Sequence, residues 1–406
     1  MEKEDLNNFF PTENFSDIKI SQLEAKNLSD NLKFFYINNL QLFKKIFDDK
    51  FPFKFQEILI NRAISPITYI FFERFLRAYK YNKNKNGNYS INKSFYKFKN
   101  NIDMEVFSEK CSYSNDFNFS LISNFLKILK NDRIDKFETI NCENNYICKE
   151  KNFKNFLQNY YSPSEKILIK VNSIFEKIYN LYAYYKKIPI VEAANVDPAF
   201  NLNGFFIKYF SKLNNLKLIN SESFSNDERD KLIKKLKDNK LNFDIFLSNY
   251  DLSSEIKKNI INFYFEFLKF NYPICFLENL NSNFKYQENI LKKFNSKKIY
   301  SSDDESSIST LSYFVSKNLN FEIVKFQHSG HYGYLKDTLE IDQIELKNTD
   351  TFISNGWNEK VKKYDEKSFV NFIKLPSPLL SEKKSILNHI KYIQTKNLIF
   401  YFYLNL

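Results

Sequence analysis

The chain has three His, five Gly and one Trp. Most of these fall in one stretch, Phe321 to Trp357 (FEIVKFQHSGHYGYLKDTLEIDQIELKNTDTFISNGW), which holds His328, His331, Gly330, Gly333, Gly356 and Trp357. Imidazole titrates near neutrality, so His328 and His331 suit a general base or a hydrogen-bond donor to phosphate. Glycine lets a backbone turn to positive φ and approach a ligand closely, which assigns Gly330 and Gly333 to a binding loop. Gln327, Ser329 and Tyr332 add polar groups beside them, and Tyr332 suits stacking on, or donating to, a sugar. Asp342 and Glu345 are three residues apart and share one face of a helix, where they can hold an acceptor or orient a histidine. The bland alternatives stand beside these: a structural His328 bonded to backbone, a solvated Asp342–Glu345 pair, Trp357 as a packing anchor and Asp350 as a turn or cap residue. His-x-x-His without further ligands at helical spacing does not make a metal site, and none is assigned.

The elements that position this loop read as α/β. Phe321–Phe326 is a short apolar run of strand length, followed by a polar turn, as in a buried parallel strand whose carboxyl end carries a ligand loop. From residue 273 onward, strands alternate with helices. Pro273–Glu278, Lys298–Tyr300, Phe321–Phe326, Thr351–Ser354 and Phe372–Leu375 read as strands. Gln287–Phe294, a segment behind the Ser302-x-x-Glu305 capping box, and the stretch with Asp342 and Glu345 read as helices. That alternation argues a parallel sheet with right-handed crossovers.

Gln-His-x-Gly-x-Tyr-Gly, then an acidic-x-x-Glu pair, then Asp, then Gly-Trp resembles a family of transferases from bacterial surface-carbohydrate (O-antigen or capsule) gene clusters, similar in outline to GT-B glycosyltransferases. The matching positions are Gln327, His328, Gly330, Tyr332, Gly333, Asp342, Glu345, Asp350, Gly356 and Trp357. Ser329 departs from the Gly-Gly usual after the histidine, and Asp342 stands where Glu is usual. The resemblance is good over about residues 273–380 and weak before. It implies a GT-B-like fold, a nucleotide-activated sugar as co-substrate with no resident cofactor, and a glycan or lipid-linked acceptor. Catalytic roles fall to His328, Glu345 and Asp342. Binding of substrate or phosphate falls to Gln327, Ser329, Gly330, His331, Tyr332 and Gly333.

The rest of the chain reads in three parts. Residues 1–250 form a helix-rich region, residues 251–380 an α/β domain with the His/Gly loop, and residues 381–406 a connector with a terminal strand. Within the first part, Leu32–Ile46 reads as one aromatic element. Phe53–Tyr79 reads as a helix interrupted near Pro66. Lys80–Asn101 is a Lys/Asn-rich loop around Gly87, and a helix lies near Leu121–Leu129. Ser162-Pro163-Ser164-Glu165 starts a helix running to about Lys187. Ile188–Phe200 begins strand-like, residues 219–240 form a charged surface helix, and Ile256–Phe270 is an aromatic helix. Asn397–Tyr403 (NLIFYFY) reads as a buried strand. In GT-B enzymes the second Rossmann-like domain follows here, so the expectation is a truncated or split member whose missing half is supplied by a separately encoded chain. Two alternatives follow: a non-catalytic remnant or partner subunit, and a complete protein whose last strand joins the existing sheet.

Composition narrows the classes. With 43% hydrophobic and 18% aromatic residues the chain is globular rather than disordered, and 406 residues suggest two or three domains. The net charge of +12 fits an anionic partner, either a nucleotide donor or an acidic membrane surface, or else plain lysine drift. Lysines are scattered without an Arg-rich stripe or nucleic-acid motif, so no specific nucleic acid is assigned. The cysteines Cys111, Cys142, Cys148 and Cys275 lack metal-ligand spacing and read as reduced thiols. The polar MEKEDLNNFF start is not a signal peptide, and no apolar run is long enough to span a bilayer. The expected location is the cytoplasm, with a possible peripheral seat at the inner face of the membrane.

Overall fold

The computed structural model describes most of residues 20–84, 103–129, 217–327, 346–357 and 369–375, with short strands at 90–92, 136–138, 189–190 and 211–212. The helix read at 165–187, the helix with Asp342 and Glu345, and the connector and strand at 381–403 lie outside the described residues.

In chain order the helices are α1 (Gln22–Asp48), α2 (Glu57–Asn84), α3 (Met104–Tyr113), α4 (Asn115–Ile128), α5 (Asn226–Asp238), α6 (Asp244–Leu247), α7 (Ser254–Asn271), α8 (Leu280–Leu291) and α9 (Ser307–Asn318). The strands are β1 (Ser90–Asn92), β2 (Lys136–Glu138), β3 (Pro189–Ile190), β4 (Ser211–Lys212), β5 (Lys298–Ser301), β6 (Glu322–Phe326), β7 (Thr351–Ser354) and β8 (Asn371–Lys374). β1 and β2 pair in a small sheet of their own. The other six form one parallel sheet in the order β4-β3-β5-β6-β7-β8. The fold is therefore mixed α/β with a parallel sheet. β3 and β4 come from before position 250, so the sheet draws on both the helix-rich region and the later one.

Local chemistry sets most helix starts. Ser21 and Glu24 form a reciprocal box, with the Glu24 amide donating to Ser21 Oγ at 3.2 Å and the Ser21 amide to Glu24 Oε2 at 2.8 Å. Asp103 accepts from the Val106 amide at the head of α3 (2.9 Å). Ser225, Ser253 and Ser306 each accept an amide proton from three residues on, starting α5, α7 and α9.

Four sequence expectations need correcting. α2 runs unbroken through Pro66. A proline inside a helix costs about 3 kcal/mol, but Ile64, Ile67, Phe71, Phe72 and Phe75 beside it are all buried. Each buried side chain of this size contributes about 1.5–3 kcal/mol, so packing outweighs the lost bond. Pro273–Glu278 is not a strand; Ile274–Phe276 makes a single 3-10 turn, with the Asn279 amide donating to the Ile274 carbonyl. A short apolar run does not by itself distinguish a strand from a buried turn. The helix after β5 is capped by Ser306 rather than Ser302. The Lys80–Asn101 stretch is not all loop: α2 extends to Asn84, and Ser90–Asn92 pairs with Lys136–Glu138.

The main core is aromatic. Phe71 of α2 meets Phe125 of α4 and Phe263, Tyr264 and Phe267 of α7, with ring centroids 4.8–5.4 Å apart. Inside it, the Thr68 and Tyr264 hydroxyls bond at 2.7 Å. The same core reaches Ile299 of β5, Leu311 and Phe314 of α9, and Ile323 of β6. A second, small cluster of Leu346, Phe352 and Val370 lies under Trp357 and Phe372 at the β7–β8 side. No helix among the described residues is long and apolar enough to cross a membrane.

Candidate functional site

Because the strands are parallel, their carboxyl ends share one edge: Ser301, Phe326, Ser354 and Lys374. Ligands of open α/β sheets sit outside that edge, above all where strand order reverses. Here β4 lies on one side of β3 and β5 on the other, so the reversal falls between β3 and β5. β6 is the next strand over, and in sequence the His/Gly motif follows its carboxyl end.

Gln327 is the first residue past β6. Its backbone amide donates to the Ile353 carbonyl of β7 (2.9 Å), and its side-chain Oε1 accepts from the Trp357 indole Nε1–H at 2.6 Å. Trp357 is aimed there by the turn after β7. Gly356 adopts φ +96°, a conformation that a side chain disfavours even though a Cβ would meet nothing within 4 Å. The Ser354 hydroxyl donates to the Trp357 carbonyl and closes the turn. The indole then lies against Phe352 and Phe372, with centroids 5.8 and 5.3 Å away. Two positions of the motif, Gln327 and Trp357, thus meet at the carboxyl edge across 30 residues of sequence.

Asp350 stands at the opposite edge. Its carboxylate accepts from the Ile323 amide (2.8 Å) and from the Lys317 ammonium, and its own amide donates to the Ile323 carbonyl (2.9 Å). It joins the starts of β6 and β7 and the end of α9, and is not near Gln327. His328, Ser329, Gly330, His331, Tyr332, Gly333, Asp342 and Glu345 lie outside the described residues.

The sequence reading missed a carboxylate at the same edge. Glu105 of α3 accepts from the Ser307 amide (2.6 Å) and hydroxyl (2.7 Å) at the head of α9, just after β5. The Met104 amide donates back to Ser307 Oγ at 2.9 Å. Burial raises the Glu105 carboxyl above the usual carboxylate range, and the neighbouring Asp103 charge adds to it, against the lowering effect of the Ser307 bonds. Cys275 packs beside this group, and burial pushes its thiol well above the usual thiol range. Glu105 and Ser307 are 202 positions apart, and no local pattern links them.

The comparisons give one positive result. No curated protein and no solved structure matches the chain. A family model described as LIC12162 family transferase matches residues 7–404, nearly the whole length, including the helical region where the motif resemblance was weak. The chain therefore belongs to the LIC12162 family of transferases.

Proposed function

We propose that this chain transfers a glycosyl or related group from a nucleotide-activated donor to a glycan or lipid-linked acceptor of surface-polysaccharide synthesis. The observation that carries the reading is positional. In a member of a transferase family, Gln327 stands just past an interior strand at the carboxyl edge of a parallel sheet, one strand from the reversal of strand order, and His328 is the next residue in sequence. His328 takes the acceptor hydroxyl proton as the new glycosidic bond forms, while the bond from sugar to nucleotide phosphate breaks and the nucleotide leaves. Gly330 and Gly333 allow the close approach. Ser329, His331 and Tyr332 bind phosphate or sugar, and Asp342 and Glu345 orient the acceptor and the histidine. The excess of basic residues favours an anionic donor, and a lipid-linked acceptor would bring the protein to an anionic membrane surface.

The test is thermal shift of the purified chain with a panel of nucleotides and nucleotide-sugars, since a ligand that binds only the folded state raises its stability. A donor-specific shift that His328→Ala abolishes, with the fold intact, supports the reading. A folded chain that no donor stabilises overturns it.

A further inference from the structure

The helix α1 carries apolar side chains on two opposite sides. Leu28, Leu32, Phe35, Tyr36, Phe43 and Phe47 are buried in the main core. On the other side Leu23, Phe34 and Ile37 are 67%, 57% and 45% exposed. Steps of eleven and three residues keep these three on one stripe. Lys26, Lys33 and Lys44 follow one another at seven and eleven residues and make a second row beside it, and Lys45 is exposed on the stripe's other flank. Acids are fewer. Residues 22–47 hold these four lysines against Glu24 and Asp30. Glu24 is already bonded by Lys80, and Asp30 lies half-buried along the stripe. The side of a helix that faces water is ordinarily polar, so large apolar side chains in a row there mark a contact surface.

The charges decide what fits that surface. Ammonium groups beside an apolar stripe suit an anionic bilayer: the stripe enters the acyl boundary while the lysines stay with the lipid phosphates. A second copy of α1 brings the same lysine excess and no row of acids to meet it, and three side chains fall well short of the roughly 800 Å² per partner of a stable interface. No helix among the described residues is long and apolar enough to cross a membrane, so the contact is peripheral. We infer that this side of α1 is a docking surface for an anionic phospholipid bilayer, with Leu23, Phe34 and Ile37 entering the interface and Lys26, Lys33, Lys44 and Lys45 meeting lipid phosphate. The inference deepens the transfer reading and rests on it for the purpose of the contact, which is to hold the protein beside a lipid-linked acceptor.

Flotation of the full chain with vesicles tests it. One set is phosphatidylcholine alone; the other is equal parts phosphatidylcholine and phosphatidylglycerol. The wild-type chain should float with the second set and not with the first. Phe34→Ser with Ile37→Ser should lower the partition by about tenfold or more. Lys26→Gln with Lys33→Gln should lower it by about tenfold at low salt, and less at high salt. Lys292→Gln with Lys293→Gln, the same loss of charge at the exposed end of α8, should stay within about twofold of wild type. Phe34→Trp should emit at shorter wavelength on the anionic vesicles and be quenched by brominated lipid, above the background of Trp357, the single native tryptophan. A wild-type chain that does not float with anionic vesicles overturns the proposal. So does flotation that both α1 double variants leave within about twofold of wild type, or that the α8 variant lowers equally, since that is adsorption by net charge alone. A dimer that Phe34→Ser with Ile37→Ser converts to monomer makes the face an interface between copies and equally overturns it. Should that double variant not fold, Leu23→Ser and Phe34→Trp carry the same decision. Failure of the transfer reading shows separately, as no donor shift in the absence of vesicles.

Discussion

The helical body and the β7–β8 end of the sheet hold their shape by different means. In the body, Phe71 alone meets five other aromatic rings, and the core runs continuously from α1 to β6. At the sheet end, three buried side chains lie under one Trp and one Phe, while Phe369, Ile373 and Leu375 of the outer segment are exposed. The body gains stability from area removed from water, which is large and forgiving of direction. The sheet end relies on a few directional bonds: Trp357 to Gln327, Ser354 to Trp357, and Asp350 to Lys317 and Ile323. Such bonds add little net stability but define geometry. The candidate site is built from the second kind of material, on the edge of the first.

That contrast can be broken at its strongest point first. Arg229 and Glu278 are both about 1% exposed and form a two-pronged pair at 2.6 and 2.8 Å. Arg229 also donates to the Lys269 and Tyr272 carbonyls, and its guanidinium lies over Phe224. Glu278→Ala would leave that charge buried without its carboxylate and should cost about 3–5 kcal/mol in urea unfolding. A cost below about 1 kcal/mol would show water reaching the pair. Phe71→Ala should also cost about 3–5 kcal/mol and lower the unfolding midpoint of the whole body.

Trp357→Phe should cost only about 0.5–1.5 kcal/mol in the same assay; a loss as large as that of Phe71→Ala would erase the distinction between the two regions. Glu105 gives a pH-dependent version of the comparison. Its carboxyl is raised in the folded state, so the protein holds its proton more tightly folded than unfolded. The stability it contributes is full below the unfolded carboxylate value and is lost as pH rises through the raised folded one. Glu105→Gln, which still offers an oxygen to the Ser307 amide, should flatten stability across that window. An unchanged slope would mean that the carboxylate is ionised throughout. The smallest effect belongs to the surface. Lys80 donates to Glu24 at 2.9 Å and, as the main cause, holds the Glu24 carboxyl below its usual range. Lys80→Met should cost no more than about 1 kcal/mol, less in high salt. That contribution is present above the unfolded carboxylate value and fades as pH falls through the lowered one.

The parallel strands were legible where an apolar run ended in a polar turn. Lys298–Ser301, Glu322–Phe326, Thr351–Ser354 and Asn371–Lys374 all lie within a residue or two of the expected runs, and Pro189–Ile190 falls inside another. Ser211–Lys212 was not legible, because two residues carry no period. The Ser21–Glu24 box was present in plain sight and went unread, since the residues around it lack an obvious apolar spacing. α5 reads as a charged surface helix, yet Arg229 is buried within it, because charge count does not reveal that a carboxylate waits 49 positions away. In the site itself, the motif singled out both Gln327 and Trp357 as matching positions but gave no sign that they bond to each other.

What the chain states by itself are the features whose physics is local: strand-length apolar runs that end in polar turns, and long apolar-rich helical stretches; the whole-length match adds membership of a transferase family. What only the tertiary structure decided are the features whose energy depends on burial and on partners distant in sequence. Pro66 stays inside a helix because the rings around it are buried. Glu105 reaches the head of α9, and Arg229 finds Glu278. Trp357 turns back to Gln327 because Gly356 and the Ser354 bond leave its N–H facing an acceptor at the end of the neighbouring strand. Spacing along the chain records the first set, since apolar runs and periods act over a few residues. The second set comes into being only when the sheet brings its carboxyl ends to one edge.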